Sequence, residues 1–235
     1  MKKYYYKFFL LIGCFFISGF PILFCHDLWI EKKNHQFILQ YGHILSHSNS
    51  DFNPKFLEYK KENVREIQCL KNYQIQKITI SKVPIYLPEC DIFFVEFTTG
   101  FWTQTLEGLK NEPPEKIPLK VLDAWESIEY LKQIYNWEEN YHQLQGNPLE
   151  ITPLENPFLK KVGDKIKVQV LYQKEPISNI PIAYGEDIRG VTDREGKFSI
   201  RLQKKGYQII RTTLTKEAMG PRIKKIITST LIFSL

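Results

Sequence analysis

Histidine and cysteine are scarce in this chain, with five of one and four of the other among 235 residues. Several chemistries are missing altogether. No Gly-rich loop follows a predicted strand, which excludes the phosphate cradle of nucleotide-dependent enzymes. No His-Glu-x-x-His occurs, and no Ser, His and Asp stand in a nucleophile context. Carboxylates are plentiful but unpatterned, so no glycosidase-like pair stands out. There is no basic run or stacked-aromatic motif of a nucleic-acid binder, and no internal repeat or low-complexity tract. A binding protein, not an enzyme, is the expectation.

What is present begins with an export signal. Lys2, Lys3 and Lys7 form a basic start, and Phe8 to Phe24 form an apolar run interrupted only by small residues, Ser18 and Pro21. The run is near the lower limit for a membrane span, about 17 residues. An uncleaved anchor is therefore one alternative, and acylation of Cys25 is another, although Phe24 fits a lipoprotein signal poorly. Gly19 and Pro21 interrupt the helix just before a processing site, and His26 to Glu31 resumes as an alternating strand, so residues 1–25 are read as a cleaved signal. Removal takes the three lysines with it and lowers the formal net charge from +6 to +3. The remaining 210 residues of the 235 suffice for one large or two small domains. The expected location is the periplasm or another extracytoplasmic compartment.

Cys14 and Cys25 belong to the signal, which leaves Cys69 and Cys90 as an even pair in an exported chain. A disulfide is the natural reading, contributing on the order of 3 kcal/mol by loop-closure entropy.

The mature chain reads as mainly β. Leu28 and Ile30 oppose Asp27, Trp29 and Glu31, and after a polar turn Phe37, Leu39 and Tyr41 point one way, a hairpin-like pair of strands. Further strands are expected at Val64 to Leu70, Gln74 to Ser81 and Ile92 to Thr98. Val121, Trp125, Ile128, Leu131 and Tyr135 recur at helical spacing, which predicts one helix with Asp123, Glu126, Glu129 and Lys132 on its outer surface. From Pro148 the texture becomes strand and turn, with Lys165 to Tyr172 alternating and Ile226 to Leu235 as a last strand. The expected organisation is a signal over 1–25, a β-rich domain over 26–147 and an antiparallel β-sandwich over 148–235.

Four of the five histidines, His26, His35, His43 and His47, precede residue 50. Cleavage after Cys25 would make His26 the first residue of the mature chain. Its free amine and imidazole can then chelate one divalent transition metal, and selectivity at such a nitrogen-rich site comes from geometry and availability. His43 supplies a third nitrogen if the first two strands pair. His47, in a Ser- and Asn-rich loop, is a further candidate, and Asp27 and Glu31 could add oxygen ligands or orient the imidazoles. His35 reads as solvated and His142 as structural or exposed. Trp29 and Trp102 read as core residues.

At these residues the chain resembles a known group, the periplasmic accessory proteins of bacterial nickel and cobalt importers, formerly a domain family of unknown function. The stretches that carry the likeness are His26-Asp27-Leu28-Trp29-Ile30-Glu31, Tyr41-Gly42-His43, Phe101-Trp102-Thr103-Gln104-Thr105, Pro148-Leu149-Glu150-Ile151-Thr152-Pro153-Leu154 and Asn156-Pro157-Phe158. The resemblance implies capture of Ni(II), or of Co(II), as the ion or a small chelate, and its delivery to a membrane importer, with His26 and His43 as ligands. Cys25 departs from the pattern, in which a small residue such as Ala precedes the histidine. Glu175-Pro176-Ile177 and Gly190-Val191-Thr192-Asp193 also look like carboxypeptidase-regulatory or transthyretin-like sandwich modules, a likeness of fold that carries no chemistry. Two other readings compete: a copper protein or enzyme in which Cu(II) sits in a histidine brace, and a surface protein that binds another protein through its sandwich.

Overall fold

The computed structural model describes residues 26–34, 36–44, 55–217 and 223–235. Residues 1–25, read above as a signal, and His35 and His47 lie outside the described residues. In chain order the strands are β1 (Asp27–Lys33), β2 (Gln36–His43), β3 (Lys55–Phe56), β4 (Val64–Lys71), β5 (Gln74–Lys77), β6 (Tyr86–Leu87), β7 (Ile92–Thr105), β8 (Gly108–Lys110) and β9 (Val121–Ile134). They continue with β10 (Leu149–Pro153), β11 (Lys165–Tyr172), β12 (Glu175–Pro176), β13 (Pro181–Tyr184), β14 (Asp187–Val191), β15 (Lys197–Arg201), β16 (Tyr207–Glu217) and β17 (Lys224–Ser234). Among the described residues the only helical turns are short 3-10 segments, and no helix is long and apolar enough to cross a membrane.

These strands make three sheets. A nine-stranded sheet runs β14-β13-β16-β17-β9-β7-β4-β5, with β8 added on β7. One four-stranded sheet holds β1, β2, β3 and β6, and the other holds β10, β11, β12 and β15. The small sheets cover opposite faces of the large one, and strand alternation sorts the side chains. Phe93, Val95 and Phe97 of β7, with Leu131 of β9, pack against Leu28, Ile30, Phe37 and Leu39 of the first small sheet. Their neighbours Ile92 and Phe94, with Ile128, Tyr130 and Ile134, pack against Ile151, Ile166, Val168 and Val170 of the second. The stretches 26–147 and 148–235 share the large sheet, because β17 lies parallel against β9 with Ile227 opposite Ile128.

The mainly-β expectation holds, and one element is corrected. The predicted helix is the 14-residue strand β9, paired with β7 on one side and β17 on the other. Both faces of this strand are covered, so apolar residues stand at odd and even positions alike and the period-2 signature is blurred. The charges assigned to an outer helical surface are accordingly misplaced. Lys132 is fully buried and Glu126 nearly so.

Two other expectations are met. β1 and β2 form an antiparallel ladder from Asp27 opposite Gly42 to Lys33 opposite Gln36. Cys69 in β4 and Cys90 just before β7 are disulfide-bonded, with Cα atoms 5.6 Å apart.

Candidate metal site

Pairing of β1 with β2 brings His26 to the end of the second strand. Asp27 stands opposite Gly42, so the next step of the ladder sets His26 beside His43. Their ring centroids are 4.9 Å apart, with planes inclined at 67°. Tyr41, two residues before His43 and therefore on the same face, lies edge-on to His26 with ring centroids 5.3 Å apart. Its hydroxyl is 2.9 Å from Nδ1 of His26, and this bond fixes the ring as an outer partner fixes a ligating imidazole. Tyr41 is itself held by Phe97 of the large sheet, at 4.8 Å between ring centroids.

Gly42, between Tyr41 and His43, has φ +149°, and a Cβ there would come 2.0 Å from the carbonyl oxygen of Lys55. The closeness follows from the pairing of Gly42 with Phe56 and of His43 with Lys55. No side chain fits, so Tyr41-Gly42-His43 is a structural requirement of the strand that presents His43.

His26 is half-buried, and burial lowers its pKa, with the electrostatic effect of the neighbouring His43 as the second cause. A lowered pKa favours the neutral imidazole, the form that ligates a transition metal.

Asp27 is placed differently from a free oxygen donor. Its Oδ2 accepts a hydrogen bond from the backbone N–H of Ile44 at 2.7 Å, and its Oδ1 pairs with Nη2 of Arg211 from β16. Both side chains are under 10% exposed. The carboxylate ties the residue after His26 to the residue after His43, and both to the large sheet. Glu31 accepts from Nε2 of Gln40 at 3.1 Å. Trp29 is fully buried and stacks on Phe56, whereas Trp102 is half-buried with its Nε1 donating to Oγ1 of Thr99 at 2.9 Å. His142 belongs to the 3-10 segment Tyr141–Gln143. Among the described residues no three His, Cys, Asp or Glu converge on one point where they would hold a metal.

Sequence reasoning missed the Tyr41 hydroxyl and the Arg211 partner of Asp27. It also missed a buried network on the other face of the large sheet. There Nζ of Lys132 meets Oε1 of Glu150 at 2.7 Å and Oγ1 of Thr152 at 2.9 Å. Oε2 of Glu150 accepts from the backbone N–H groups of Gly146 and Asn147 at 3.0 and 3.1 Å. Neither charged side chain reaches solvent. This network anchors the Leu149–Pro153 strand to β9 and leaves no open coordination or reaction space.

The fold and the site together define a three-sheet β-protein that presents two imidazoles side by side, at the start of β1 and the end of β2. The chain belongs to the family described as "Domain of unknown function (DUF4198)", which matches residues 23–216. It is similar to an uncharacterized protein of Haemophilus influenzae, 19% identical over 186 residues that cover 75% of this chain and 74% of the relative. No solved structure matches it.

Proposed function

We propose that this protein captures a divalent transition metal, Ni(II) with Co(II) second, outside the cytoplasm and hands it to a membrane importer. The observation that carries the reading is the His26–His43 pair, with rings 4.9 Å apart at the start of β1 and the end of β2. Two imidazoles, joined by the amine that cleavage before His26 would create, would supply three nitrogens to one ion. That donor set suits late first-row divalent metals. Family membership supports the assignment only through the resemblance in the motifs around His26 and Tyr41-Gly42-His43.

The test is a calorimetric titration of the exported, purified protein with Ni(II), Co(II) and Cu(II), after intact-mass and N-terminal sequencing. A chain that begins at His26 and binds one Ni(II), with binding lost in His26→Ala and His43→Ala, is the expected result. Unchanged nickel affinity in both variants would overturn the site. Cu(II) outcompetes Ni(II) at most nitrogen sites, so tight copper binding alone does not decide the cargo. Reductant-dependent peroxide production by the copper-loaded protein would favour the copper-enzyme reading instead.

A further inference from the structure

Glu129 lies in the same gap between sheets as the two histidines. Ring contacts show that β2 runs in step over β7, because Phe37 meets Phe93 at 5.5 Å and, four residues further on both strands, Tyr41 meets Phe97 at 4.8 Å. Alongside, β1 runs over β9. The N–H of Ile30 donates to Oε1 of Gln133 at 2.7 Å, and its carbonyl accepts from Nε2 of the same side chain at 2.8 Å. Within the large sheet Phe97 is opposite Glu129, and within the small one Tyr41 is opposite Leu28. Four residues back from Ile30 is His26, and four residues back from Gln133 is Glu129. Both steps cover about 13 Å toward the same end of the layer. Glu129 therefore sits beneath the His26–Leu28 end of β1, on the side of β9 that carries Leu131 and Gln133.

The state of this carboxyl is unusual. It is surrounded by protein, and burial pushes its pKa up to about 8. Yet the residue keeps part of its surface in contact with solvent. Carboxyls that are largely enclosed yet still reached by water concentrate at functional sites. No described side chain offers it a hydrogen bond or an opposite charge. Its sheet neighbours are Phe97 and Thr228.

We propose that Glu129 is the carboxylate member of the His26–His43 site, supplying the oxygen donor and the negative charge that two imidazoles lack when a dication enters. The inference rests on the metal-capture reading above. His26, His43 and Glu129 do not converge on one point as they stand. Glu129, held by no described partner, is the side chain that swings to close the site. A site of this kind takes a hard-to-borderline divalent ion with mixed nitrogen and oxygen donors.

Nickel sulfate titrated into the exported protein tests it, with wild type, Glu129→Gln, Glu129→Asp and His26→Ala compared. Glu129→Gln is shaped like the protonated carboxyl and keeps the fold. It is expected to bind nickel about 10- to 100-fold more weakly, the usual loss for a ligand or its supporting partner. Its nickel X-ray absorption spectrum should lack the carboxylate contribution, and Glu129→Asp should fall between the two. Glu129→Gln within twofold of wild type, with an unchanged spectrum while His26→Ala fails to bind, would overturn the role of Glu129 and leave the histidine site standing. Nickel binding indifferent to both His26→Ala and Glu129→Gln would overturn both.

Discussion

The carboxylate of Asp27 closes a buried ion pair with the guanidinium of Arg211, joining β1 to β16. The same carboxylate accepts the N–H of Ile44, just past His43. One side chain thus sets the position of both histidine-bearing strand ends against the large sheet. Removing one partner of a buried pair strands the other charge and costs about 3–5 kcal/mol. Asp27→Ala is expected to lose stability on that scale in urea unfolding and to weaken nickel binding, through loss of a carboxylate already engaged by Ile44 and Arg211. Asp27→Asn keeps an acceptor for Ile44 and should recover part of the nickel affinity. Equal nickel affinity in Asp27→Ala and wild type would show that the clamp does not position the histidines.

Gly42 offers a sharper separation of fold from site. A methyl group there meets the Lys55 carbonyl at 2.0 Å, so β3 must detach or β2 must bend. Gly42→Ala is expected to lose about 1–3 kcal/mol, the scale of a strained backbone position. It should also displace His43 while leaving the hydrophobic core intact. Nickel affinity should fall more steeply than thermal stability, and a variant that binds as tightly as wild type would place the ion away from the β2 end.

On the opposite face, Lys132 and Glu150 make a pair with no exposure at all. The prediction is an asymmetric double-mutant cycle. Lys132→Met leaves a buried carboxylate without its cation and should cost about 3–5 kcal/mol. Glu150→Gln leaves the lysine unpaired but keeps an acceptor for the N–H groups of Gly146 and Asn147. The double variant should be more stable than Lys132→Met alone, as chemical denaturation would show. Nickel binding should not change in any of the three, because the network faces the second small sheet.

The hairpin of β1 and β2, the disulfide and the strand Lys165–Tyr172 were legible because each has a local cause. Alternation shows in a strand that keeps one face partly wet, and β11 does so with its exposed Lys165 and Lys167. The same logic fails for β9, where Ile128, Tyr130 and Ile134 are buried on one side and Leu131 and Gln133 on the other. Val121, Trp125, Ile128 and Leu131 then mimic a helical stripe. Charged residues misled for a related reason. Lys132 and Glu126 look like a solvated face until their partners, Glu150 and Arg65, arrive from other strands. His26 and His43 could be paired from the hairpin alone, but Arg211 and Glu129 reach the same end only through the stacking of one sheet on another, which no local pattern encodes.

Acid and base should act on the two partly buried titratable groups of this layer in opposite senses. The pKa of His26 is lowered on folding, so the unfolded chain takes up a proton first as pH falls through its ordinary value of 6.5. Its contribution is intact above that pH and is lost below it. Glu129 has its pKa raised from 4.5 to about 8, so the unfolded chain gives up a proton while the folded one still holds it. Its contribution is complete below about pH 4.5 and falls as pH rises toward 8. Glu129→Gln removes the second dependence and His26→Gln the first. Thermal unfolding across pH 5 to pH 8.5 should therefore show Glu129→Gln gaining on wild type as pH rises, by about 1–3 kcal/mol at the alkaline end given 1.36 kcal/mol per pKa unit and partial solvent access. His26→Gln should gain on wild type only on the acid side. A Glu129→Gln curve parallel to wild type over the whole range would mean that the carboxyl is not enclosed, and with it would go its role beneath His26.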